Sequence, residues 1–291
     1  MGGQEAILPA REAFRWGVRA MKEAGIREPA LDAAVLLGYI MGLDTVDVLA
    51  PKAPGLDVLE ADRFKGLIDR RCCREPVSVI LGQKEFYSLV FEVNSHVLTP
   101  RPETEHLVSE ADVFLKSSSG NLLAADLGTG SGAVAITLAV QNPAVRFAAV
   151  DISPSALAVA GRNACRFGVQ NRVSCLLSDM ASSLRSGVFD LVVSNPPYVP
   201  SGEYGLLPPE VRRSEPACAL VGGPLGTELH HCVVKQSVLI LRQGGALMVE
   251  VGAGQDAEVA ELFNLCGFES VSVIPDLAGI PRVVKGILSD V

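Results

Sequence analysis

The chain contains no run of about twenty uncharged apolar residues, so nothing in it reads as a membrane-spanning helix. Its opening residues lack a basic segment followed by an apolar stretch; no secretory signal is visible, and a cytoplasmic protein is expected. The cysteines are odd in number and never fall in a C-x-x-C spacing, and Cys72 and Cys73 are adjacent, which does not suit pairing with each other. Buried, reduced thiols are the expectation. His96, His106, His230 and His231 show no zinc-site spacing, and no metal is expected. Aromatic residues are scarce at 5%, and 33 acidic side chains outnumber 25 basic ones. An acidic chain can still bind nucleic acid through a local patch, but its long-range field does not help, and no direct nucleic-acid partner is expected. Arg70, Arg71 and Arg74 form the densest basic cluster and read as a solvated helix face.

What is present divides by periodicity. Residues 5–80 read as a small helix bundle: Phe14, Val18 and Met21 recur at helical spacing, Leu31, Val35 and Leu36 begin a second stripe after Pro29, and Phe64, Leu67, Ile68 and Cys72 make a third. Phe86 to Ser95 reads as a hairpin. In the following Thr99-Pro100-Arg101-Pro102-Glu103-Thr104-Glu105, Glu103 and Glu105 lie where a helix would begin, complementing its dipole. From Leu122 strands and helices alternate, which predicts a mostly parallel sheet covered on both faces. Strands are expected near Leu122–Leu127, Arg146–Asp151, Val173–Ser178, Phe189–Ser194 and Ala246–Val251, with a last pair near Val271–Ile274 and Arg282–Leu288. The loop joining that pair is too short for a crossover helix, so the two should be antiparallel. Helices are expected near Ala133–Gln141, Pro154–Phe167, Glu228–Leu241 and Asp256–Cys266. The expected domains are residues 1–84 (helical), 85–99 (a β-hairpin linker) and 100–291 (α/β).

Two strand ends carry candidate chemistry. After Leu122–Leu127 comes Gly128-Thr129-Gly130-Ser131-Gly132, a glycine-rich turn into a helix; glycine admits positive φ and brings backbone N–H groups close to a ligand. The spacing is G-x-G-x-G, not the G-x-G-x-x-G of dinucleotide folds. Asp151 ends the next strand, where an acid can accept both ribose hydroxyls. Asp126, the glycines and Asp151 together resemble the S-adenosylmethionine-dependent methyltransferases, in which the third strand end, here Asp179-Met180, places an acid and an apolar residue around adenine. Read alone, Asp179 also suits a helix cap.

The second strand end is Asn195-Pro196-Pro197-Tyr198, after Phe189–Ser194. Asn195 offers a carbonyl oxygen, the prolines lack N–H donors and hold their carbonyls rigidly, and Tyr198 can stack on a planar group. Such a corner suits a planar NH2. An amide nitrogen is a poor nucleophile because its lone pair is delocalised. Accepting its N–H bonds stabilises the positive charge that develops during methyl transfer, and no general base is required. The motif alone does not choose between glutamine, adenine and guanine.

The chain resembles the HemK family of protein-glutamine N5-methyltransferases that modify peptide chain release factors. The resemblance runs through the helical N-terminal domain, Glu75-Pro76, Gly82-x-x-Glu85-Phe86, Leu98 to Glu105, Asp126 to Gly132, Asn195 to Tyr198, Glu215-Pro216, Glu250-Val251-Gly252 and Asp276 to Gly279. It implies an α/β fold with a seven-stranded Rossmann-like methyltransferase sheet whose last two strands are antiparallel, a small N-terminal helical bundle that helps hold the substrate, and a linking β-hairpin. It also implies S-adenosyl-L-methionine held by Gly128, Thr129, Gly130, Ser131, Gly132, Asp151, Asp179, Met180 and Asn195. Asn195, Pro196, Pro197 and Tyr198 would grip the glutamine of a Gly-Gly-Gln loop, and S-adenosyl-L-homocysteine would be the by-product. A monomer is expected. Alternatives are a glutamine methyltransferase of a ribosomal protein, a DNA or RNA amine methyltransferase, and a non-enzymatic nucleotide-binding module. Two features depart from the pattern. Pro224-Leu225-Gly226-Thr227 replaces the usual acidic residue and Gly-Leu, and Gly2-Gly3-Gln4 repeats the substrate tripeptide within the chain itself.

Overall fold

The computed structural model describes residues 8–50 and 52–289; Gly2-Gly3-Gln4 lies outside them. The chain forms two compact units, one holding the residues up to Gly82 together with Pro208–Ser214, the other Gln83–Leu207 and Glu215 onward.

The first unit begins with β1 (Leu8–Pro9), α1 (Ala10–Glu23), α2 (Pro29–Met41) and α3 (Thr45–Val48), and continues through β2 (Gly55–Leu56), α4 (Val58–Cys72) and α5 (Val77–Leu81). Pro29 occupies the first turn of α2, where its missing N–H costs nothing, and Gly42 closes that helix at φ 65. Asp57 and Glu60 form a reciprocal capping box on α4. A Cβ on Gly17 would stand 3.0 Å from Ile68 and 3.1 Å from Phe64, so glycine lets α1 lie close on α4. Met21, Leu36, Leu37, Phe64 and Ile68 fill the core. Leu31, expected in the apolar stripe, is 57% exposed; the buried face of α2 runs instead through Ala33, Ala34, Leu36, Leu37 and Ile40. The solvated arginine face holds for Arg70, which is exposed beside Glu75, but not for its two neighbours. Arg71 is buried and its Nε donates to Asp32 at 2.8 Å, while Arg74 pairs with Glu210 at 3.1 Å. These cations are committed to their own unit.

The second unit opens with the hairpin β3 (Gln83–Phe86) and β4 (Leu89–Glu92). Its first strand precedes the expected start, because the turn falls at Tyr87-Ser88, both at positive φ. A hairpin of this kind usually has Asn-Gly there. Here α6 (Thr104–Ser117) supports the turn, with Glu105 Oε1 accepting the Tyr87 N–H at 2.9 Å.

There follow β5 (Leu123–Leu127), α7 (Ala133–Gln141), β6 (Arg146–Asp151), α8 (Pro154–Arg166), β7 (Val173–Leu177), β8 (Phe189–Ser194) and β9 (Val199–Pro200). The chain then supplies α9 (Pro209–Ser214) to the first unit. It returns with β10 (Val221–Gly223), α10 (Glu228–Ile240), β11 (Leu241–Glu250), α11 (Asp256–Leu265), β12 (Phe268–Pro275) and β13 (Pro281–Leu288).

The seven-stranded sheet has the order β12-β13-β11-β8-β5-β6-β7. β11, β8, β5, β6 and β7 are parallel, and β13 is antiparallel to both β11 and β12. Strand residues alternate between two cores. Ala124, Leu191 and Val193 pack with α6 and α7; Ala125, Leu127, Val192 and Val249 pack with α10 and α11. Burial on both faces explains why the central strands read as continuous apolar runs. β11 starts five residues before its expected Ala246. Leu241 pairs with Phe189 and Ala246 with Leu191, so Arg242-Gln243-Gly244-Gly245 bulges from the strand, its glycines imitating a turn.

Candidate active site

Pairing places Leu127 beside Ser194 and Leu127 beside Val150, so the chain leaves β5, β6 and β8 along one edge of the sheet. That carboxyl edge is where open α/β sheets bind ligands. A cavity of about 330 Å³ lies there, lined by Gly128, Gly130, Asp151, Asp179, Met180, Asn195 and Pro197 among others. A neighbouring cavity of about 50 Å³ is lined by Gly128, Thr129, Gly130, Ser131 and Asn195, together with Arg101 and Thr104. Gly132, Pro196 and Tyr198 line neither.

The glycine turn wraps the end of β6: the N–H groups of Gly128 and Thr129 donate to the Val150 carbonyl at 2.9 and 2.8 Å. Gly128 and Gly130 have φ 77 and 56, a region that penalises a Cβ, and a Cβ on either would meet nothing within 4 Å. They border space a ligand can fill. Gly132 serves packing instead, since a Cβ there would stand 2.6 Å from Ile136.

Two acids hold the turn. Asp126 is buried and accepts from Thr129 Oγ1 at 2.7 Å; burial pushes its carboxyl up to about 6, against the pull of that hydrogen bond. Asp151 accepts from the Gly130 N–H and the Ser153 N–H, each at 2.9 Å, one per oxygen. Each oxygen keeps a second lone-pair direction for another donor. Asp179 is exposed at the cavity rim, and Met180 beside it has φ 46.

The Asn195–Tyr198 corner is gripped from behind. A Cβ on Gly222 would stand 2.4 Å from the Pro197 carbonyl oxygen, and one on Gly226 2.5 Å from that of Tyr198. Gln255 Nε2 donates to the Tyr198 carbonyl at 3.0 Å while its Oε1 accepts the Gly252 N–H at 3.0 Å. Burial pushes the Tyr198 phenol up to about 12, so it stays neutral. The unusual Pro224–Thr227 loop has its own anchor: the Glu228 carboxylate accepts the N–H groups of Leu225 and Gly226, both at 2.9 Å.

Several contributors lie outside the residues expected to form the site. Ile152, His96 and Cys218 line the larger cavity. Thr104 and Glu250 lie behind Asn195, whose Nδ2 donates to Thr104 Oγ1 at 3.0 Å. The run of acidic and hydroxyl residues from Arg101 to Glu105 was the available hint for Thr104. Glu250 lay within the Glu250-Val251-Gly252 stretch of the family resemblance, but no role at the site was attached to it.

Residues 12–82 match the family described as the PrmC N-terminal domain, and residues 105–205 match the methyltransferase small domain. The release factor glutamine methyltransferase of Moorella thermoacetica is 40% identical, over 94% of this chain and 97% of that protein. The release factor glutamine methyltransferase of Cereibacter sphaeroides is 39% identical over 97% and 99%. Among solved structures, the hMettl16 catalytic domain, crystallised with the MAT2A 3'UTR hairpin 6, superimposes with a TM-score of 0.58 at 14% identity, over 77% of this chain and 82% of that one; it shares the fold. With relatives at this identity along nearly its whole length, the chain belongs to the release factor glutamine methyltransferase family.

Proposed function

We propose that this protein transfers a methyl group from S-adenosyl-L-methionine to the side-chain nitrogen of the glutamine in the Gly-Gly-Gln motif of peptide chain release factors. One observation carries the reading: the glycine turn after β5 and the Asn195–Tyr198 corner after β8 end neighbouring strands and border one cavity.

The residues present fit the cofactor. Gly128 and Gly130 border open space, the smaller cavity adjoins Thr129 and Ser131, and Asp151, Asp179 and Met180 line the larger one. In this reading Gly128 to Gly132 hold the amino-acid end, Asp151 accepts from the ribose hydroxyls, and Asp179 and Met180 flank the base. When bound, the cofactor supplies an electrophilic methyl group on a sulfonium.

The chain's own contribution is orientation and electrostatics. Asn195 Oδ1 and one backbone carbonyl of the Asn195–Pro197 corner accept the two N–H bonds of the glutamine amide. That places electron-rich oxygens where positive charge develops, and it fixes the nitrogen for in-line attack. Neutral Tyr198 covers the amide plane. No basic side chain is asked to remove a proton before attack; the nitrogen becomes acidic once methylated and loses its proton afterwards. The helical unit provides substrate docking, the enzyme acts as a monomer, and its site of action is the cytoplasm, where release factors work.

The test is incubation with labelled S-adenosyl-L-methionine and, separately, a release factor, a ribosomal protein fraction and duplex DNA. Label on the release factor glutamine is expected. Label only on the ribosomal fraction, only on DNA, or on none of the three would overturn the reading.

A further inference from the structure

Asn195 has a problem of polarity. The carbonyl and NH2 ends of a carboxamide are nearly alike in size, so packing alone does not decide which end faces the substrate. If the amide turned over, two donors would meet the donor amide of the glutamine. Something behind Asn195 must distinguish its ends by hydrogen bonding.

Behind it stand two buried groups on different elements. Thr104 opens α6 and is 4% exposed; Glu250 ends β11 and is 2% exposed. Asn195 Nδ2 donates to Thr104 Oγ1 at 3.0 Å. The Glu250 carboxyl is hydrogen-bonded to the side chains of Thr104 and Asn195, and its Oε2 has no hydrogen-bond partner among the described residues. A carboxylate only accepts, so the Thr104 hydroxyl must spend its single proton on Glu250. Its oxygen can then only accept from Asn195, and the carboxylate itself accepts from Asn195 directly, so on both counts Asn195 must present NH2. The Asn195 carbonyl oxygen is left outside this relay, on a residue that borders both cavities.

We infer that Glu250 and Thr104 are positioning residues that set the polarity of the Asn195 amide, keeping its carbonyl oxygen toward the acceptor nitrogen. This rests on the reading that Asn195 accepts from the glutamine NH2. The relay is directional only while Glu250 is ionised. A protonated Glu250 can donate to Thr104, Thr104 can then donate to Asn195, and the amide is free to reverse.

The surroundings put that change near neutrality. Burial pushes the Glu250 carboxyl up to about 7, opposed by the Thr104 hydrogen bond and the Arg282 charge from β13, and assisted by Glu103 at the start of α6. Tyr198 stays neutral in this range. His230 of α10, whose imidazole is pushed down by burial, meets the backbone carbonyl of Glu250, at 3.0 Å, and not its carboxyl, and also reaches the Gly226 backbone. The rate of transfer should therefore rise with pH through about 7.

The test uses the full chain, a release factor and labelled S-adenosyl-L-methionine, with kcat and KM followed on both sides of neutrality. Glu250→Gln removes the obligate acceptor while keeping the shape. It should lower kcat about tenfold and abolish the pH-dependent limb, with cofactor affinity and release-factor KM changed less than about twofold. Thr104→Val, which leaves the direct Glu250–Asn195 contact, should give a smaller loss of about threefold, and Thr104→Ser should recover most of it, which keeps the inference testable should Glu250→Gln fold poorly. Wild-type kcat with an intact limb in Glu250→Gln, or undiminished kcat in Thr104→Val, would overturn it. A wild-type enzyme that labels no release factor, or an Asn195→Ala enzyme that labels it at the wild-type rate, would instead show that the underlying reading of Asn195 is wrong.

Discussion

Arg101 and Glu215, separated by 114 positions, share one ion pair: Arg101 Nη2 donates to both oxygens of Glu215, at 2.8 and 2.6 Å. The carboxylate is almost fully buried and the arginine is about one-third exposed. Burial raises the Glu215 carboxyl above the usual carboxylate range and Arg101 pulls it back. The pair ties the loop entering α6 to the point where the chain returns from α9.

Removing only the cation strands a buried charge. Arg101→Ala should lower the unfolding free energy by about 2 kcal/mol, discounted for the exposed arginine. Adding Glu215→Gln should recover part of that loss, because no ion is then left unpaired. Denaturant unfolding of the two variants checks this, and a double variant as unstable as Arg101→Ala would refute it.

Asn195→Ala removes the oxygen assigned to the acceptor amide. Methyl transfer should fall by at least about a hundredfold, while cofactor binding, followed by calorimetry, stays nearly intact. Equal loss of both would make Asn195 a structural residue.

Gly222→Ala places a methyl group 2.4 Å from the Pro197 carbonyl oxygen and 2.5 Å from that of Gly226. Backbone on both sides must shift, and a displacement of this size at a reacting corner costs about a hundredfold in rate. Single-turnover transfer should show that loss with unchanged cofactor affinity.

Glu250 also predicts a dependence of stability on pH. Its folded-state pKa, about 7, lies above its ordinary value of 4.5. The folded state therefore binds the proton more tightly, and the associated stability is fully present below the ordinary value and lost as pH rises through the folded one. The loss is of order 3 kcal/mol. Glu250→Gln should flatten this part of the unfolding free energy against pH and become the more stable protein under alkaline conditions. Parallel curves for the two proteins would contradict the assignment.

The sheet was legible because its signals are local. β6 and β8 begin and end where their apolar runs predict, and the antiparallel close follows from a short loop. The two glycine and proline motifs were legible for the same reason: each is contiguous and each needs its strand. The unread features depend on residues distant in sequence. Tyr87-Ser88 makes a turn because Glu105 holds it. Arg71 is buried because Asp32 and Glu210 pair with it. Thr104, Glu250 and Asn195 meet only when α6, β11 and β8 assemble.

Because α9 belongs to the helical unit, that unit is not a cassette. Residues up to Gly82 carry Arg71 and Arg74, but Glu210, which both arginines meet, arrives from a far later part of the chain. A chimera joined at residue 82 would import both arginines without Glu210, leaving Arg71 its Asp32 partner but Arg74 no carboxylate, and a deletion in the loop after Tyr198 would injure a unit encoded more than a hundred residues upstream. Exchange of the helical unit between family members would thus require two grafts made together.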